Sequence, residues 1–210
     1  MVLQDQEIIR RLIDPDPSRR IVITPLVNPR KQIGPSSVDV CLGASFLVPV
    51  TSTIGAINPE DREMVQRYMR SIAIGYRDTF YLHPGEFVLA ATLEFVRVPP
   101  DLACRIEGRS SWGRLGLLVH ATAGFVDPGF SGNLTFELLN AGKLPIELRP
   151  GMRMAQLCFL RLQEQPWISY DQRPTSKYRQ SLGARGTRSW EDQKIDTTEV
   201  ARQSHPQSPE

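Results

Sequence analysis

The sequence predicts an all-β fold, a sandwich or barrel, on three observations. After Arg20 the chain becomes a succession of short β-rich runs at fairly even spacing, punctuated by Pro and Gly. Several of those runs alternate apolar and polar residues with a period of two. Long helical periods and strand–helix–strand alternation are absent, so a doubly wound nucleotide fold is not expected. At 210 residues the chain suits one domain with a sizeable core and an extra arm or tail.

Residues 4–13 carry Ile8, Ile9, Leu12 and Ile13 at helical spacing, and Pro15 and Pro17 stop the pattern. This predicts one short amino-terminal helix. The strand candidates then follow in order: RIVITPLV, SSVDVCLG, ASFLVPV, GEFVLAATLEFVRV, ACRIEG, LLVHATAGFV, GNLTFELLN, PIELRP and MAQLCFLRL. In SSVDVCLG, Val38, Val40 and Leu42 oppose Asp39 and Cys41. In GNLTFELLN, Leu134, Phe136 and Leu138 share one face, and Asn133, Thr135 and Glu137 share the other. Residues 51–79 break the rhythm with charges and a short helical pattern, EDREMVQRYMRSI, and read as an insertion. The expected organisation is a helical segment at 1–20, a β domain at 21–165 with that insertion, a tail at 166–191, and a disordered end at 192–210.

Composition narrows the function. The formal net charge of +2 gives no global case for a nucleic-acid polymer as partner, although local arginine clusters can hold a small polyanion. The longest apolar runs, such as residues 87–91, are too short to span a membrane. The amino terminus lacks the apolar block of a signal peptide. Cys41, Cys104 and Cys158 are dispersed, with no CxxC and no histidine pair, which argues against a disulfide framework or a structural zinc site. Free thiols in a reducing cytoplasm are the expectation.

Residues 107–139 concentrate the chemistry. Arg109, Ser110, Ser111 and Arg114 form a donor-rich segment suited to a phosphate chain, and Gly108 permits close backbone approach. If Ser110 opens a helical turn, its following N–H groups add donors. The bland alternative is a surface loop with solvated arginines. Neither GxxxxGK[ST] nor GxGxxG occurs. Glu137 is the one acid in its apolar strand; a carboxylate there tends to have its pKa raised by desolvation, which suits a proton shuttle. On the residues alone the favoured reading is an exposed face of an antiparallel sheet, where a lone Glu is ordinary. His120 is expected to be a hydrogen-bonded structural residue, with base or ligand as the alternative, and His83 to belong to a turn. Asp127, before Pro128 and Gly129, either caps a turn or meets a sugar hydroxyl. The basic KYRQSLGARGTRSW is a solvated tail or a flap over an anionic ligand.

GRSSWGRLGL, HATAGFVDPGFSGNLTFELLN and LPIELRPGMRMAQL, with PGEFVLAATLEFVRVPPDL, SSVDVCLG and SKYR, resemble the dCTP deaminase branch of the dUTPase superfamily. The resemblance runs from about Ile21 to Trp190. It implies a distorted β-barrel or jelly-roll subunit in a homotrimer, with active sites between subunits and a cytoplasmic location. It further implies hydrolytic deamination of dCTP to dUTP and ammonia, with Mg2+ riding on the triphosphate and no protein metal site. By position, Arg109, Ser110, Ser111, Trp112, Gly113 and Arg114 would hold the triphosphate, with Ser110 and Arg114 also near the reacting base. Asp127 would meet the deoxyribose. Thr135, Phe136 and Glu137 would border the pyrimidine, with Glu137 as general base and acid. Gln156, Tyr170 and Lys177 match later nucleotide contacts.

Rival readings remain beside this one. A bifunctional deaminase would also cleave dUTP to dUMP and diphosphate. Thr122-Ala123-Gly124-Phe125 stands where monofunctional members are expected to carry T-A-H-R, and resembles the bifunctional type. A plain dUTPase would have an apolar residue in place of Glu137. A non-catalytic nucleotide-binding barrel would lack a central group, and none is missing. The zinc deaminase set, H-x-E with P-C-x-x-C, does not occur, which favours a zinc-independent route. Inhibition by dTTP is a family trait that the residues do not decide. Two positions depart from the family pattern. Ser181 stands where Gln is expected, with Gln180 one place earlier, and Cys41 replaces the arginine of V-D-x-R-L-G.

Overall fold

Alternating burial builds one curled sheet. The computed structural model of the protein describes residues 1–50, 55–120 and 122–192. In chain order these form α1 (Asp5–Leu12), β1 (Val22–Thr24), α2 (Pro29–Gln32), β2 (Val38–Pro49), α3 (Arg62–Tyr68), β3 (Met69–Ala73), β4 (Phe80–Leu82) and β5 (Phe87–Arg97). There follow β6 (Leu102–Gly108), α4 (Ser110–Gly113), β7 (Leu117–Leu118), β8 (Phe125–Val126), β9 (Ser131–Asn140), β10 (Ile146–Leu148) and β11 (Arg153–Arg161). A short 3-10 turn, Ser189–Glu191, closes the described chain.

Among the described residues, nine strands make one antiparallel sheet along the path β7-β9-β5-β2-β11-β6-β8, with β1 added to β5 and β3 added to β2. The two end strands of that path are neighbours in sequence, so the segment from β7 to β8 must run from one edge to the other. It does so by hydrogen bonds to both. Val119 O accepts from Glu137 N on β9 at 3.2 Å, and Gly124 O accepts from Ile106 N on β6 at 2.8 Å. This segment is the seam of a distorted barrel, as the resemblance implied.

The core lies inside the curl. Phe46, Phe136, Phe159, Leu42, Leu82, Leu102 and Leu138 are fully buried, each such side chain contributing about 1.5–3 kcal/mol of transfer free energy. Phe46 stacks on Phe80 with ring centroids 4.5 Å apart. The predicted short helix is α1; it buries Ile8, and Arg11 beside it pairs with Asp101 and donates to Arg19 O at 2.6 Å. Leu3 and Ile8 join the same core as the strands.

Two local expectations change. The helical pattern of EDREMVQRYMRSI stops at Tyr68, after a start capped by Asp61, whose side chain accepts from Met64 N at 3.0 Å. From Met69 the chain is strand, paired with β2 at Ser45 to Pro49. Ladder bonding to an open strand edge prevails over helix propensity there. In β2, Asp39 and Cys41 are buried along with Val38, Val40 and Leu42, because α2 and two arginines cover the second face. Residues 51–54 of the insertion and 193–210 of the expected disordered end lie outside the described residues.

Candidate functional site

The seam opens into a cavity of about 1110 Å³. Strand β9 supplies one wall, and its alternation is as the sequence predicted: Leu134, Phe136 and Leu138 are buried, while Asn133, Thr135 and Glu137 lie on the half-buried face toward the cavity. Glu137 Oε2 accepts from Thr122 N at 3.2 Å and from Thr122 Oγ1 at 3.4 Å. The strand thus aims the carboxylate and the seam holds it. Asp127 enters from the turn after β8, and Phe125 beside it is 59% exposed.

The carboxyl-terminal tail forms the outer wall. Tyr170 N donates to Pro128 O at 2.8 Å, its ring packs on Phe130 at 5.8 Å, and its hydroxyl accepts from Tyr178 N at 3.0 Å. Burial pushes the Tyr170 phenol above its usual pKa. Further on, Asn133 N donates to Ser181 O at 2.8 Å, and Gly183 N donates to Asn133 Oδ1 at 3.1 Å. Gly132 makes this docking possible: a Cβ there would lie 2.8 Å from Ser181 N. Ser181 is buried and lines the cavity, whereas Gln180 is exposed. The tail then crosses the insertion, where Ser189 Oγ donates to Pro59 O at 2.6 Å. Lys177 pairs with Asp192 at the same mouth.

Five of the expected site residues converge on this cavity: Glu137, Thr135, Asp127, Tyr170 and Lys177. Phe136 does not face it; its side chain is wholly buried in the core, so any contact from this position falls to its main chain. Nor do residues 109–114 and Gln156 line it. They form a second locus, on the face of β2, β6 and β11. There Asp39 accepts an ion pair from Arg109 Nε at 3.3 Å and from Arg153 Nη1 at 2.9 Å. Trp112 Nε1 donates to Arg153 O at 2.7 Å, and Gln156 sits opposite both Asp39 and Glu107 in the sheet register. Ser110 opens the single turn of α4, and Ser110, Ser111, Gly113 and Arg114 are exposed. The continuous stretch at 107–139 is therefore two loci in one chain.

Sequence reasoning missed several contributors. Tyr68 and Met69, from the insertion with no assigned role, stand on the cavity wall. His120, expected to be hydrogen-bonded, lines the cavity with both ring nitrogens buried and without a protein partner. An orphaned buried polar group costs about 1–3 kcal/mol. Glu94 was missed although its signal, a lone acid in an apolar strand, equals that of Glu137. It is fully buried; Oε1 accepts from Gln32 Nε2 at 3.0 Å and Oε2 from Cys41 N at 2.8 Å. Burial raises its pKa, and burial together with the nearby Glu94 carboxylate pushes the Cys41 thiol up to about 12. The cysteine that replaces the expected arginine thus faces this acid. All three cysteines are free thiols, with Cys158 only partly buried. Among the described residues no group of three or more His, Cys, Asp or Glu is placed to hold a metal ion, and no helix is long and apolar enough to cross a membrane.

A family model described as dCTP deaminase-like matches residues 2–162. A Halobacterium salinarum protein named "dCTP deaminase, dUMP-forming" is 43% identical over 95% of this chain and 100% of its own length. A Dictyoglomus turgidum protein of the same name is 45% identical over 87% of this chain and 92% of its own. A Natronomonas pharaonis protein named "dCTP deaminase" is 43% identical over 90% and 94%. Among solved structures, the 2'-deoxycytidine 5'-triphosphate deaminase of Agrobacterium tumefaciens shares the fold, with a TM-score of 0.57 at 21% identity. That match covers 75% of this chain but only 46% of the Agrobacterium chain.

Proposed function

The chain belongs to the dCTP deaminase-like family, and from that premise we propose how its cavity deaminates dCTP. The observation that carries the reading is the Glu137 carboxylate, aimed by β9 into the seam cavity and held there by Thr122. Water attacks C4 of the cytosine, forming a C–O bond as the C4=N3 electron pair moves to N3, and Glu137 takes a proton from the water and delivers it to N3. Glu137 then takes the second proton from the new hydroxyl and hands it to the exocyclic nitrogen, the C4–N bond breaks as the C4 carbonyl forms, and ammonia leaves. One carboxylate serves both transfers, and the route needs no zinc. Asp127 meets the deoxyribose, Thr135 and the main chain of Phe136 border the ring, and Tyr170 and Lys177 close over the nucleotide. The described tail beyond residue 165 acts as the closing segment.

The triphosphate holders lie at the other locus, and this separation supports the view that the site is completed between subunits of a homotrimer. Arg109, Ser110, Ser111, Trp112, Gly113 and Arg114, with Gln156, would reach the nucleotide held in a neighbouring copy's cavity. Asp39 fixes Arg109 for that task. Mg2+ enters with the triphosphate as part of the substrate. Co-expressing Glu137→Gln with Arg114→Ala tests the arrangement. Each variant alone is inactive, and random mixing in a symmetric ring restores about a quarter of the sites. No recovery would place both loci in one subunit.

The product is dUMP by a second reading, which Gly124-Phe125 favours. A Cβ on Gly124 would lie 3.0 Å from Ile106 O, so this turn packs on β6 more tightly than most side-chain-bearing residues do. Phe125, next in the chain, is exposed. Incubation with dCTP and with dUTP, each with Mg2+, separates the readings by their products. Diphosphate release from both nucleotides supports the bifunctional form, dUTP as end product supports deamination alone, and inert dCTP would refute the function. We place the protein in the cytoplasm, and leave dTTP as a candidate inhibitor for the same assay.

A further inference from the structure

We propose that Arg188 is a positioning residue of the closing tail, and that it acts by holding Lys177 at the cavity mouth. Residues 177–188 form a loop whose outer part is tied to β9. Asn133 N donates to Ser181 O at 2.8 Å, Gly183 N donates to Asn133 Oδ1 at 3.1 Å, and Arg185 N donates to Thr135 Oγ1 at 3.2 Å. At its base the loop is tied by Arg188. Arg188 Nη1 donates to Lys177 O at 2.5 Å, and Arg188 N donates to Tyr178 Oη at 3.3 Å. Tyr178 in turn donates its main-chain N–H to Tyr170 Oη at 3.0 Å. Arg188 is thereby linked to both tail residues expected to meet the nucleotide.

A guanidinium suits this task because its donors lie in a fixed planar fork. One arm reaches the Lys177 carbonyl, while Nε, at 2.9 Å, and Nη2 both donate to Glu191 Oε1, which sets the plane of the fork. Glu191 belongs to the 3-10 turn whose Ser189 hydroxyl donates to Pro59 O of the insertion. Support thus runs from the insertion through Glu191 and Arg188 to Lys177, whose ammonium pairs with Asp192 at the mouth. Untied at its base, a loop of this length spreads over many conformations, and ordering it on a nucleotide costs binding free energy. A residue that removes this cost helps substrate and transition state alike, so its loss shows in KM rather than in kcat. Arg188 also lines the cavity, so direct contact with substrate phosphates is the rival role. The inference rests on the deaminase reading and names what holds the tail in place for it.

Steady-state kinetics separate the two roles. In Arg188→Gln, KM for dCTP is expected to rise about tenfold with kcat within about twofold, and the melting temperature to change little. Arg188→Lys, which keeps the charge but not the fork, should recover only part of the loss. Added to Lys177→Gln, Arg188→Gln should raise KM by no more than about twofold, because it acts through Lys177. Glu191→Gln then sets the sign. Removing an acid from a mouth that admits a polyanion lowers KM if Arg188 meets phosphate directly, whereas a loosened fork raises it about threefold. Trypsin reads the tie without substrate: cleavage after Arg179 should quicken severalfold in Arg188→Gln. Unchanged KM or cleavage in Arg188→Gln, independent effects in the double variant, or a lower KM in Glu191→Gln would overturn the proposal. The deaminase reading alone would fail if the unaltered protein left dCTP intact while cleavage of the variant still quickened.

Discussion

Glu94 and Glu137 stand on adjacent, hydrogen-bonded strands of one sheet, each the lone acid of an apolar run, yet they meet opposite surroundings. Glu94 sits in the stretch between Ala91 and Phe95 where β5 slips register against β9, and its carboxylate turns into the interior toward Gln32 and Cys41. Glu137 lies in the regular part of the β5–β9 ladder, opposite Leu89, and faces the seam cavity. One acid is sealed from solvent and held by fixed donors; the other borders a space large enough for a nucleotide. A lone strand acid thus marks a special position without saying which kind. What decides is whether the barrel is closed or open on that side. The raised pKa expected of such an acid is found at Glu94, where burial dominates.

The largest test of the difference is Glu137→Gln. Loss of deamination by at least about a hundredfold is expected, with nucleotide affinity retained in a binding titration. Near-normal turnover would remove Glu137 from the mechanism. Next comes the pH dependence of stability. Because burial raises the Glu94 pKa above 4.5, the folded protein keeps this proton to higher pH than the unfolded chain does. Its contribution is whole below the unfolded value and is lost as pH rises through the folded one. The stability of the native protein minus that of Glu94→Gln should therefore fall with rising pH, at a limiting slope of about 1.4 kcal/mol per pH unit. Melts across a pH series read this directly, and a rising difference would mean that Glu94 is ionised in the fold. Glu94→Gln should retain most deamination.

The smallest effect is expected at Thr122→Val. The backbone N–H keeps its 3.2 Å bond to Glu137, and only the longer 3.4 Å hydroxyl contact is lost. A fall in kcat of under about tenfold is expected, since a neutral hydrogen bond is worth about 0.5–1.5 kcal/mol. A loss as deep as that of Glu137→Gln would show that the hydroxyl does more than steady the carboxylate.

Much of the β architecture was legible because period-two burial is local. The faces of β9 follow from the residues alone, as does the short α1. The boundary between α3 and β3 was not legible, because an open edge of β2 elsewhere in the chain chose strand at Met69. Phe136 was legible as a core residue from that alternation; it was the resemblance that set it beside the pyrimidine, whereas its side chain occupies the face opposite the cavity. The docking of Ser181 in place of Gln180 depended on Gly132, whose lack of a Cβ matters only once the tail lies against it.

By itself the sequence determined the strands, the pairing of Glu137 with Thr135 off the apolar face, and the exposed donors at 109–114. Each depends on residues a few places apart, whose relation the backbone period dictates. The tertiary structure alone decided which strand acid is sealed and which faces the cavity. It also put the donor-rich segment 109–114 at a separate locus, beside Asp39, 70 positions before Arg109. Burial and charge pairing are set by segments distant in the chain, and only the closing of the sheet brings those segments together.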